Sequence, residues 1–166
     1  MYLWGVNELV MAEELYISQG GKTEKYSLLY KQIESLASRE CDTIALMANI
    51  AAMIHSTFDF WWTGFYRVVG EELVLGPFQG PLACTRIKYG HGVCGTAWQR
   101  AESVVVEDVE TFEGHIACSS ASRSEIVVPV FAEDKVVAVL DIDSQYLSTF
   151  DKVDRAWLEK IVKLVK

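Results

Sequence analysis

The spacing of apolar residues changes character once along this chain, near Phe60, and that change narrows the available folds more than any other feature. Before it, the spacing is helical. Tyr26, Leu29, Tyr30, Ile33 and Leu36 share one face of residues 23–39. Behind Asp42, a side chain suited to an N-cap, Ile44, Leu46, Met47, Ile50, Ala51 and Ile54 predict a second, deeply buried helix. After Phe60 the apolar runs become short, aromatic and β-branched. Residues 60–69, 73–75, 84–87, 103–107, 125–131 and 135–141 read as strands, with turns at Glu71-Glu72 and Glu133-Asp134. The prolines and glycines of residues 76–81 are taken to end the second strand. Helices are expected over residues 92–100 and from Phe150-Asp151 onward, the last with Val153, Trp157, Ile161 and Leu164 on one face. Helices first, then strands joined by hairpins, predict an α+β fold: an antiparallel sheet of about six strands with helices packed mainly on one face.

The chain has 166 residues, 51% of them hydrophobic, enough for one domain with its own core. That domain is assigned to residues 23–166. Residues 1–22 are set apart as an N-terminal extension, either a short helix against the body or a second subunit, or an appended segment without function. A net charge of −8 with no basic run argues against nucleic acid as a partner. No apolar run approaches the ~20 residues a membrane span needs. The first residues also lack the basic head and apolar core of a signal peptide, so the expected location is the cytoplasm. Thiols stay reduced there, and four cysteines are more plausibly free, catalytic or metal-bound than structural bridges.

Three of those cysteines fall between Gly76 and Asp143, each among glycines or small residues. Cys118 follows Gly114-His115-Ile116-Ala117 in a long aperiodic loop, where small neighbours leave a thiol accessible and turn N–H groups can stabilise an anion. Cys94 lies near the start of the predicted helix at 92–100, whose dipole would favour its thiolate. Local electrostatics leaves these two as rival nucleophiles. Cys84 follows the glycine- and proline-rich loop. Cys41, far from the others, reads as a small buried apolar residue. A zinc site from Cys84, Cys94, Cys118 and His91 or His115 lacks the close ligand pairs of structural zinc, so no metal is assigned. Among the acids, Asp141 and Asp143 point to one face by period-two alternation, and Glu125 begins the neighbouring strand. The three can meet at one end of the hairpin. Clustered carboxylates raise at least one pKa, supplying a proton donor near neutral pH, or they receive a ligand ammonium. Trp61 and Trp62 are adjacent on a strand, so one faces the core and the other the opposite surface.

At these residues the chain resembles the free methionine-(R)-sulfoxide reductases, a family built on the GAF fold. The resemblance is carried by Gly76-Pro77-Phe78-Gln79-Gly80-Pro81, Ala83-Cys84-Thr85-Arg86-Ile87, Gly92-Val93-Cys94-Gly95, Gly114-His115-Ile116-Ala117-Cys118, Ser124-Glu125-Ile126-Val127-Val128-Pro129 and Leu140-Asp141-Ile142-Asp143-Ser144. It runs from about Lys25 to the C-terminus. It implies reduction of the R epimer of free methionine sulfoxide, with no bound cofactor and with thioredoxin as external reductant. It further implies Cys118 as nucleophile, Cys84 or Cys94 as the resolving thiol, and Glu125, Asp141 and Asp143 as the acidic pocket. Trp62 is then the aromatic at the substrate methyl, Ile116 and Ala117 join the substrate-binding residues, and a homodimer is plausible. The alternatives are a GAF module that senses a small ligand without turning it over, and a thiol peroxidase.

Overall fold

In the computed structural model, which describes residues 14–116, 118 and 120–165, four α-helices pack on a six-stranded antiparallel sheet. Two helices lead, α1 (Lys22–Ala37) and α2 (Thr43–Phe58), the second capped by Asp42, whose side chain accepts from the Ala45 N–H at 2.8 Å. Strands β1 (Trp62–Val69), β2 (Glu72–Gln79) and β3 (Arg86–Lys88) follow, then α3 (Gly92–Arg100) and β4 (Val104–Val106). A single 3-10 turn, Val109–Thr111, starts the long loop that leads to β5 (Ser124–Ala132) and β6 (Lys135–Ser144). Helix α4 (Lys152–Val162) closes the fold, capped by Asp151. The strand order is β3-β2-β1-β6-β5-β4. The turn between β5 and β6 places Glu133 and Asp134 both at positive φ, as a two-residue hairpin requires.

The two faces of the sheet have different tasks. On one, α1, α2 and α4 bury Phe65, Ile126, Val128, Val130, Ala138, Leu140 and Ile142. On the other, only α3 covers the sheet, setting Val93, Cys94 and Ala97 against Trp62, Tyr66, Val127 and Val139. Helices therefore do lie mainly on one face. Helix α1 is tied to α4 by Asp154, which is fully buried. Its carboxylate accepts from the Tyr26 hydroxyl at 2.9 Å, the Lys22 ammonium at 2.5 Å and the Asp151 N–H at 2.8 Å. No described helix is long and apolar enough to cross a membrane.

Several local expectations change. Strand β2 does not stop at Leu75 but runs through Gly76 and Pro77 to Gln79. The pairing with β1 slips between Gly64 and Tyr66, and β3 covers β2 only over Glu72 to Val74. Pro77 thus sits at an irregularity on an open edge, where a missing N–H costs little. Cys84 lies in the loop before β3 rather than on it. Cys41 is exposed, because the α1–α2 connection stays at the surface. Ile44 is 42% exposed, since the first turn of α2 projects beyond the core. Trp61 precedes β1, so strand alternation does not reach it, and it packs partly against the same cluster as Trp62. The predicted helix within residues 1–22 falls mostly outside the described residues; residues 14–21 form neither helix nor strand, and Leu15 rests against the core.

Candidate active site

Register assembles the acids. In the β5–β6 ladder Glu125 faces Asp143, and in the β1–β6 ladder Asp143 faces Trp62, so the three form one row across adjacent strands. Two residues back along β6, Asp141 lies on the same face between Gly64 and Val127. The trio expected from alternation and hairpin pairing is therefore brought together. Glu125 and Asp141 are each 6% exposed, while Asp143 is half-buried and accepts a hydrogen bond from the Ser122 hydroxyl.

Burial and mutual repulsion hold protons on this cluster. Glu125 is pushed well above the usual carboxylate range, first by burial and then by the charges of Asp141 and Asp143. Asp141 is likewise raised, by burial and then by Asp143, against hydrogen bonds with Cys94 and Glu125 that pull the other way. Asp143 rises to about 6 through burial, partly offset by Ser122.

The cysteines separate into two environments. Cys84 and Cys118 form a disulfide with Cα atoms 5.4 Å apart. The Cys118 N–H donates to the Ile116 carbonyl at 3.0 Å, and the Cys84 carbonyl accepts from the Tyr66 hydroxyl at 2.9 Å. Cys94 is free and buried in the first turn of α3. Its thiol is pushed up, not down: burial dominates, and the nearby acids add to it. The helix dipole that suggested a reactive thiolate is outweighed by a dry, acidic pocket. The zinc set weighed from the sequence is not available in this disulfide form, because two of its sulfurs are bonded to each other.

One cleft joins these groups, lined by Trp62, Tyr66, Ile116, Cys118 and Ser122 together with Cys94 and the three acids. Trp62 is buried, donates from Nε1 to the Pro81 carbonyl at 3.1 Å and stacks on Phe78 and Tyr66 with ring centroids 5.3 and 5.8 Å apart. Its ring lies over Gly64, where a Cβ would come within 2.5 Å of the indole and 2.4 Å of the Phe78 Cβ. Ile116 closes the cleft over Gly92, which sits at φ +61° and would set a Cβ 3.2 Å from the Ile116 side chain. Ala117, the other substrate-binding residue expected from the sequence, lies outside the described residues.

Sequence reasoning missed three participants, Tyr66, Gly64 and Ser122. Tyr66 stands four residues beyond Trp62 on the same strand face, a relation that alternation could have supplied. Gly64 between them carried the same signal. Ser122 sits in the aperiodic loop, where no pattern announces a partner, and His115, weighed from the sequence only as a zinc ligand, instead faces Glu125. The imidazole Nε2 of His115 lies 3.8 Å from a Glu125 oxygen, and burial lowers its pKa, favouring the neutral ring.

Known proteins resemble this chain in sequence and fold. Residues 42–166 match the model of the GAF domain. "GAF domain-containing protein A" of Dictyostelium discoideum is 53% identical over 156 residues, covering 93% of this chain and 99% of that protein. The free methionine-R-sulfoxide reductase of Escherichia coli is 44% identical over 142 residues, covering 85% and 86%. An X-ray structure of free methionine-R-sulfoxide reductase from Neisseria meningitidis, in complex with its substrate, superposes with a TM-score of 0.90 at 48% identity and 92% coverage of each chain. With its fold, its disulfide-bearing cleft and these relatives in agreement, the chain belongs to the GAF-domain family of free methionine-R-sulfoxide reductases.

Proposed function

We propose that this chain reduces free L-methionine-(R)-sulfoxide to L-methionine, using its own thiols and no bound cofactor. The observation that carries the reading is the Cys84–Cys118 disulfide opening onto a cleft that also holds three proton-retaining acids. The Cys118 thiolate attacks the sulfoxide sulfur. A carboxyl of the Glu125–Asp141–Asp143 cluster protonates the sulfoxide oxygen, methionine leaves, and the oxygen remains on Cys118 as a sulfenic acid. The Cys84 thiol then displaces water from that sulfenic acid, giving the disulfide. A dithiol protein of the thioredoxin type returns two electrons and two protons, and both cysteines are free again.

The same cleft favours a free amino acid. Carboxylates on one wall suit an ammonium, Trp62 and Tyr66 offer an aromatic surface to the methyl-sulfur end, and the backbone N–H of Ile116, which lines the cleft, suits the substrate carboxylate. A chain continuing in either direction would have to displace these contacts. Cys118→Ser is expected to abolish methionine formation even in the first turnover. Cys84→Ser should keep a first turnover near the wild-type rate and lose sustained turnover with thioredoxin. Quench-flow with the R and S epimers checks both variants, the S epimer being left intact. A Cys118→Ser protein that still forms methionine contradicts this reading. A wild-type protein that binds the sulfoxide without reducing it would instead be a sensor module.

A further inference from the structure

The proposed cycle consumes Cys84 and Cys118 and leaves Cys94 unused, although Cys94 is buried and lines the same cleft. Its sulfur, a Glu125 oxygen and an Asp141 oxygen all lie within 4.8 Å of one another, and all three residues are buried. They arrive from three separate elements, the first turn of α3, the start of β5 and the end of β6, each fixed by helix or sheet hydrogen bonding. A hydrogen-bonded cluster would account for this grouping if it satisfied every atom. It does not. Asp141 Oδ1 is buried without a hydrogen-bond partner among the described residues, although Asp141 is only 6% exposed. A buried carboxylate oxygen left without a donor calls for a ligand, and a bound cation supplies one.

We propose that Cys94, Glu125 and Asp141 form a three-ligand site for zinc or a cation of similar softness, and that its occupancy inhibits the chain. One thiolate with two carboxylates matches zinc rather than magnesium or calcium, which prefer oxygen alone. Ligands held at about 2.0–2.3 Å from a tetrahedral ion stand roughly 3.3–3.8 Å apart, so side-chain torsions of modest size close the site. All three residues line the cleft, so a water can complete the shell of an ion held there. On binding, the thiol and any carboxyl that carries a proton release it to solvent. Competition with substrate rests on the function proposed above, because it requires the substrate ammonium to use Glu125 and Asp141.

Cobalt reports on this site without activity. In the full-length protein carrying the Cys84–Cys118 disulfide, the free thiols are Cys41, which is exposed, and Cys94. Titration with Co²⁺ alone should give the near-ultraviolet band of a thiolate-to-cobalt bond and the visible bands of a tetrahedral ion, both bleached by Zn²⁺. Cys94→Ser should remove the thiolate band, and Cys41→Ser should leave it. Glu125→Gln, which keeps the thiol and the side-chain volume, should weaken cobalt binding about tenfold or more. Absence of the band in the wild type, or its loss in Cys41→Ser with survival in Cys94→Ser, overturns the site. Added L-methionine should weaken cobalt binding. A cobalt site indifferent to methionine overturns the shared use of these acids by the substrate and leaves the metal site standing.

Discussion

Asp143 sits between Glu125 on one neighbouring strand and Trp62 on the other, and its raised pKa has a consequence for stability. The folded protein holds a proton on this group up to about pH 6, whereas the ordinary value is 3.8. Between those values the folded state binds more protons than the unfolded one, so stability falls as pH rises through that window. Asp143→Asn removes this penalty. The variant should gain on the order of 1–3 kcal/mol relative to wild type on going from about pH 4 to about pH 7. Urea unfolding at the two pH values checks it; an offset that does not change with pH contradicts the protonation assigned to the cluster. At this scale the sequence was informative where periodicity applied. Asp141 and Asp143 were placed on one face by alternation, and antiparallel pairing of the hairpin brought Glu125 to them. Cys94 was misjudged because a helix dipole can be read from position, while burial among acids depends on strands about 30 and 50 residues farther along.

The strand that carries Trp62 depends on what is absent beside it. Gly64 lets the indole lie flat against the sheet, and a methyl group there would meet both the ring and the Phe78 Cβ. Gly64→Ala should therefore destabilise the protein by about 1–3 kcal/mol through overpacking. It should also raise KM for the sulfoxide more than it lowers kcat, because the aromatic wall moves while the disulfide loop does not. Steady-state kinetics with thermal unfolding tests this, and an unchanged KM would remove Trp62 from the substrate wall. Helices and hairpins were legible because each repeats a pattern over several residues. Strand β2 was cut short because Pro77 signals a break in isolation; its tolerance there is a property of the neighbouring edge. The loop of residues 108–124 was recognised as long and aperiodic, but the contacts of Ser122 and His115 with the acids required three dimensions.

Across the whole molecule the sheet divides labour between its faces. Three helices stabilise one face, and the other is left to a single helix and a cleft. An α+β sheet with helices mainly on one side followed from the order of elements. What that order could not show was that β5 and β6 are buried on both faces and so carry core residues and site residues alternately. The same central hairpin thus supports the domain and holds its acids. The pairing of Cys84 with Cys118, 34 residues apart, was also beyond the sequence, since a loop and an edge connection meet only after the sheet has formed.

Fully reduced protein, mixed with one equivalent of L-methionine-(R)-sulfoxide in the absence of any reductant, tests the proposed chemistry most directly. Methionine is quantified, free thiols are alkylated, and the peptides are mapped by mass spectrometry. The expected result is about one methionine per chain, a new Cys84–Cys118 disulfide, and Cys94 recovered as the alkylated thiol. Methionine accompanied by a disulfide to Cys94, or no methionine with all thiols still free, would contradict it.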